Sequence, residues 1–432
     1  MAAHRHPLWH PFADMAHVPG RELTLVSGEG ARLTDAAGAE YLDATASLWF
    51  CNAGYGRTEL AEAAAEQMRR LPAYNLFGNF TNPAASELAE RLAALAPMDE
   101  AAVFFTSGGS DAIDTACKMA RRYWQLRGCP ERTLVIARSE AYHGMNAFGT
   151  TLAGIERNRV GWGPLVADVV HVPFDDASAV ERALRQHRGR VAAFVGEPIV
   201  GAGGVLPPTP TYWADVQRAC RAHEVLVIAD EVVTGFGRTG PWFASERYAI
   251  EPDLVTGAKG VTSGYLPLGV VLCGPRVLDV MWAPDAGPFL HGYTYSGHAA
   301  ACAVALRNLE IVEREGLRTR VAELEPVLAD AIHGLAGAPL VVATRAAGLL
   351  AAVELDADTR ALHPDLMDRV VDAARARGVL IRGLVGRAIQ ISPPFVVDEQ
   401  DLRTIADVVR EALETVAGQL GLVETAHAVH DR

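Results

Sequence analysis

Between about residues 100 and 275, short apolar runs alternate with segments of helical periodicity, and this alternation restricts the fold more than any other feature. The runs fall at 102–105, 133–137, 169–172, 191–195, 225–229, 254–256 and 270–273. Three of the intervening segments, 110–127, 176–188 and 211–223, repeat apolar residues at helical spacing. Strands joined by helical crossovers lie parallel, and their sheet is covered on both faces. The expectation is an α/β fold whose large domain holds a mostly parallel sheet covered by helices. Ligands bind such sheets beyond the carboxyl ends of the strands, so the residues that follow each run are the ones to search for chemistry.

The flanks differ. A helical run at 298–315 leads out of the core. An Ala/Leu-rich helix follows, then strand-like pieces at 348–355 and 380–391 and a last helix near 399–419. This reads as a smaller α+β domain. Turn-separated strands at 23–26, 31–34 and 40–43 in the first 50 or so residues would join it. The expected division is 1–56 as an N-terminal segment packing with the small domain, 57–310 as the large domain and 311–432 as the C-terminal small domain.

The formal charge of −13 argues against a nucleic-acid partner, so an anionic substrate needs a local arginine. Six scattered cysteines with no CxxC pair predict a reduced, cytoplasmic protein without a metal site. His4, His6 and His10 have no acidic or cysteine partners nearby and read as a solvated segment. No apolar run approaches the roughly 20 residues of a membrane span, and the opening residues carry no apolar signal-peptide core.

Among 39 basic residues only Lys118 and Lys259 are lysines. Lys118 lies in a helical pattern and can snorkel from its edge. Lys259, in DLVTGAKGVTSG, has no such helix around it. Arginine stays charged, whereas a partly desolvated lysine can lose its proton and attack a carbonyl. The run VLVIAD ends a buried strand on Asp230; that carboxylate is either a cap or the counter-ion of a buried cation such as a pyridinium nitrogen. FFTSGGSDAID puts Gly108, Gly109 and Ser110 between a strand and a helix, which suits a phosphate as well as an ordinary N-cap. Phosphate cup, strand-end aspartate and isolated lysine together match the three handles of pyridoxal phosphate: phosphate, ring nitrogen and aldehyde. Tyr142 and Val232 could lie against the two faces of a flat ring; a surface turn and core packing are their alternatives. GFGRTG, from Gly235 to Gly240, matches the dinucleotide pattern, but it neither follows its strand directly nor opens a helix.

With these motifs in place, the chain resembles a class III, pyridoxal phosphate-dependent aminotransferase of fold type I. The resemblance runs from WHPF through SGGSDA, AYHG, GEPIVGAGG, DEVVTGFGRTG, AKGVTSGYLPLG and HGYTYSGHAA to ISPPF. It implies that Lys259 bonds the cofactor and moves the substrate proton, that Asp230 meets the pyridine nitrogen, and that Gly109 and Ser110 hold the phosphate. Tyr142 and Val232 would enclose the ring, and Glu197 would stand behind it. Thr294 would reach the phosphate of a neighbouring subunit in a homodimer, with a tetramer left open. The branch most resembled is that of the ω-amino acid:pyruvate aminotransferases (ω-transaminases), in which Trp49 would line the substrate pocket and Arg382 would bind the acceptor's carboxylate. The implied reaction is a ping-pong transfer from an ω-amino acid or primary amine to pyruvate or a similar keto acid, through pyridoxamine phosphate. Diaminopelargonate- or taurine-type transamination and a racemase or mutase on the same fold remain as alternatives; a NAD-dependent oxidoreductase is a distant one. Gly108, Ile113, Asn82 and Arg387 depart from the branch's usual residues, and Asn82 and Arg387 are expected near the substrate entrance.

Overall fold

The computed structural model describes residues 7–422. Its strands in chain order are β1 (Leu25–Glu29), β2 (Arg32–Asp35), β3 (Glu40–Asp43), β4 (Ala102–Thr106), β5 (Leu134–Arg138), β6 (Val169–Val172), β7 (Val191–Gly196), β8 (Leu226–Asp230), β9 (Leu254–Gly257), β10 (Gly269–Cys273), β11 (Val341–Ala346), β12 (Ala351–Leu355), β13 (Val379–Leu380), β14 (Arg382–Leu384) and β15 (Ala388–Ile391).

A seven-stranded sheet with order β4-β10-β9-β8-β7-β5-β6 forms the centre. Strands β9, β8, β7, β5 and β6 run parallel; β10 runs antiparallel to both its neighbours. The two central strands β7 and β8 are buried at every position. That explains their unbroken apolar sequence, since a parallel sheet covered on both faces has no polar side. The helix Gly109–Leu126 covers one face with Ile113, Ala116, Cys117, Ala120 and Trp124, which recur at the spacing of one helical stripe. Tyr212–Ala222 and Ala177–Gln186 cover the other through Trp213, Val216, Val180 and Leu184. All seven predicted runs of this region are strands, displaced by a residue at some ends.

The flanks hold more structure than their patterns suggest. The helices Thr58–Arg70 and Pro83–Leu95 pack against the helix Ala299–Arg314. The region 380–391 is three strands: Val385 and Gly386 both take positive φ, reversing the chain between β14 and β15. β13 instead pairs parallel with β3, so the sheet β1-β2-β3-β13 joins the two ends of the chain. β11, β12, β15 and β14 make a third sheet.

His4 and His6 lie outside the described residues. Among the described residues no helix is long and apolar enough to cross a membrane, and no three His, Cys, Asp or Glu side chains gather as metal ligands. All six cysteines are free thiols.

Candidate active site

Adjacent parallel strands deliver a carboxylate and an amine to one place. Asp230 closes β8, and Lys259 lies two residues beyond β9. Asp230 is 3% exposed. Its Oδ1 accepts from the Thr256 hydroxyl at 3.0 Å and from the Val232 amide at 3.1 Å. Thr256 is its register partner across the β8–β9 pair. Its Oδ2 lies 2.7 Å from Nδ1 of His143, a buried ring on the loop after β5 whose Nε2 has no partner.

Lys259 opens a single turn of 3₁₀ helix at a φ of +48°. That conformation is rare for a residue with a side chain and persists only where the surroundings hold it. One clamp is Asn52: a Cβ on Gly260 would lie 2.3 Å from its Nδ2, so only glycine fits after the lysine. Lys259 keeps part of its surface open to the cavity, but its amine end is desolvated. That burial pulls its pKa from 10.5 to about 8, against the opposing charges of Asp230 and Glu197 and with some help from Arg382.

Glu197 follows β7 and is buried. Its two oxygens accept from the amides of Tyr142 at 3.1 Å and Gly201 at 2.8 Å. Burial raises its pKa; His143 opposes that and Asp230 adds to it.

At the other end, Thr106 leads through Ser107 and Gly108 into the helix Gly109–Leu126. No side chain caps that helix, so its first amides remain free for an anion. A Cβ on Gly109 would sit 2.9 Å from Val232, and one on Gly144 would sit 2.4 Å from the Ser110 hydroxyl. The Ser110 oxygen accepts from the Met145 amide at 3.1 Å. Gly109, Ser110, Tyr142, Asp230, Val232 and Lys259 together bound a cavity of about 200 Å³.

Trp49 and Arg382 lie close to the lysine, beyond the residues that bound this cavity. Trp49 is 4% exposed and also has positive φ. The Lys259 amine lies 5.5 Å from its ring centroid, and the Arg382 guanidinium 5.1 Å. Trp49 Nε1 and Arg382 Nη1 are buried and have no partner in the protein. Burial also lowers the Arg382 pKa, with Tyr142 opposing.

Thr294 lies on an exposed loop and does not line this cavity. Arg387 stands at the turn of the hairpin that begins with Arg382, where Glu140 (3.0 Å) and Glu354 (3.4 Å) pair with it. Asn82 has an internal task. It caps the helix Pro83–Leu95 through the Ala85 amide at 2.9 Å and donates to the Gly297 carbonyl at 3.0 Å. Ile113 is buried against the sheet. The GFGRTG run turns back without opening a helix, which removes the structural basis of a dinucleotide site.

The donor set suits pyridoxal phosphate. An amine able to shed its proton, a carboxylate for a ring nitrogen and a glycine-lined anion cup surround one cavity, and the orphaned Nε2 of His143 stands behind the carboxylate. A family model described as aminotransferase class-III matches residues 15–413. The chain belongs to the class III aminotransferases. It is 38% identical to a putrescine–pyruvate aminotransferase of Pseudomonas aeruginosa, with 94% of each chain covered. It is 36% identical to a β-alanine–pyruvate aminotransferase of the same organism, covering 95% of this chain and 96% of that one. A solved ω-transaminase of Pseudomonas jessenii in complex with PMP superposes with a TM-score of 0.91 at 33% identity, over 96% of this chain and 97% of that one. This aminotransferase therefore uses pyridoxal phosphate.

Two polar groups escaped the sequence reading. His143 lies in AYHG, but a histidine beside a strand-end aspartate is invisible in a sequence when 87 residues separate them. Asn52 has no role that its local sequence shows; the missing space at Gly260 and its bond to the Phe236 carbonyl reveal it.

Proposed function

We propose that the protein transfers an amino group from an ω-amino acid or primary amine to pyruvate or a similar keto acid, as a cytoplasmic homodimer. The observation that carries this reading is the meeting of the Lys259–Asp230 strand ends in one cavity, with two unsatisfied donors, Trp49 Nε1 and Arg382 Nη1, close to the lysine. The named relatives, which act on putrescine or β-alanine with pyruvate, support the acceptor class.

When bound, pyridoxal phosphate supplies a ring that withdraws electrons from the donor's amino-bearing carbon. Asp230, held from two sides by Thr256 and His143, presents its carboxylate to the ring nitrogen. Gly109, Ser110 and the first amides of their helix hold the phosphate. Tyr142 and Val232 press on the two ring faces, and Glu197 fixes Tyr142 through its amide. Lys259 Nζ would take the proton from the donor carbon and deliver it to C4′ of the cofactor, on the far side of the amino nitrogen. Its pKa of about 8 lets it do both near neutrality. Arg382 directs a planar fork at the acceptor's carboxylate.

Thr294 and the large exposed apolar side chains near it, Leu290 and Tyr295, fit contact with a second subunit. There Thr294 would complete the partner's phosphate cup.

The test follows the visible absorption of the purified protein through single additions of β-alanine, putrescine, taurine or an arylalkylamine, and then pyruvate. Fading with a donor and restoration by pyruvate are expected. A band that no amine bleaches would sink the proposal.

A further inference from the structure

Arg238 sits at the centre of the GFGRTG run, which has lost its nucleotide reading and so lacks a purpose. It is completely buried. Its guanidinium goes to neutral oxygens: Nη1 to the carbonyls of Pro393 (2.6 Å), Leu349 (3.4 Å) and Ser392 (3.4 Å), and Nη2 to Oδ1 of Asn52 (2.5 Å). Phe395 lies under it, with its ring centroid 4.6 Å away. An uncompensated buried cation is expensive, and burial pulls the pKa of this one down to about 9. A fork of donors that reaches several acceptors at once is what arginine offers and lysine does not.

The four oxygens come from three segments far apart in sequence, and two of these segments continue directly into the site. Asn52 stands three residues after Trp49. Ser392 and Pro393 follow β15, the hairpin partner of β14, in which Arg382 opposes Gln390. Asn52 also donates to the Phe236 carbonyl at 3.2 Å and packs on Gly260, beside the positive-φ Lys259.

We propose that Arg238 is a positioning residue for transamination: its fork holds Trp49, the Arg382 hairpin and the Lys259 turn in one register. The proposal rests on the roles given above to those three residues. It places the arginine of GFGRTG behind the Trp49–Arg382 pair, with no contact to substrate.

The test uses the holoenzymes of Arg238→Lys, Arg238→Met and Asn52→Ala, each compared with the wild type at a temperature where it is folded. Both half-reactions are measured, together with the pH midpoint of the bound cofactor's visible band. All three variants are expected to raise the KM for pyruvate and lower kcat, each about tenfold or more, and to move the band's midpoint. If Arg238→Met does not fold, Arg238→Lys and Asn52→Ala carry the test. A lower Tm with unchanged KM, kcat and midpoint would make Arg238 a structural clamp and overturn the proposal. A Lys259→Ala variant that still transaminates would instead overturn the reading beneath it.

Discussion

The strand ends that bound the cavity and the Trp49–Arg382 pair close to Lys259 satisfy their polar groups differently. At the strand ends, Asp230 has Thr256, the Val232 amide and His143 as partners, and Glu197 has two amides. In the pair, Trp49 Nε1 and Arg382 Nη1 point at nothing in the protein. In the strand-end network His143 Nε2 lacks a partner, and the network's two carboxylates are held in one geometry by the bonds they accept. An unsatisfied buried donor waits for an acceptor, and a ligand that supplies one relieves its desolvation. On the proposed reading, the strand ends would serve chemistry common to many substrates, and the Trp49–Arg382 pair would choose among them.

This contrast can be broken most severely at Lys259. Lys259→Ala should lower turnover at least about 10⁴-fold with the fold retained, measured by steady-state kinetics beside circular dichroism. Asp230→Asn should follow, losing about 10²–10³-fold on every donor alike, because the ring electronics serve all substrates. A loss that depends on the donor would show that the two sides are not separable. Arg382→Ala should act selectively. It should lower kcat/KM for pyruvate by about 10- to 100-fold, the worth of a charge-assisted hydrogen bond, and leave simple amines nearly untouched; equal losses on both would remove the role given to the pair.

The smallest effect is a pH dependence. The folded protein depresses the Lys259 pKa to about 8, so the amine is charged below that value and neutral above it. Uptake of pyridoxal phosphate by cofactor-free protein should speed up roughly tenfold between about pH 7 and about pH 9 and then level off. A rate still climbing beyond that would mean an undesolvated lysine. The same depression has a stability sign. The unfolded chain binds more protons between the two pKa values, so Lys259 makes cofactor-free protein more stable as pH rises from about 8 to the unfolded value of 10.5.

The two sides were unequally legible in the sequence. Lys259, Asp230, Gly109 and Ser110 each stand at the end of a strand or within four residues of it, so a one-dimensional pattern of buried runs locates them. Trp49 and Arg382 follow no central strand, and they were reached only through resemblance. The hairpin that carries Arg382 read as one strand-like piece, because a reversal at Val385 and Gly386 leaves little mark beyond one glycine. The cap made by Asn82 was not legible, since capping depends on the helix that starts beside it.

By itself the sequence determined the alternating core and the order of chemical groups along its strand ends. Parallel sheets demand continuous apolar strands, and their functional residues follow those strands in the chain. Tertiary structure alone decided which distant groups became neighbours: His143 with Asp230, Asn52 with Gly260, Arg238 with the carbonyls of Leu349, Ser392 and Pro393. Those pairings bridge segments 87 to more than 150 residues apart. No local propensity encodes them, because they arise only when separate sheets pack and each buried polar atom must find the partner that the fold leaves within reach.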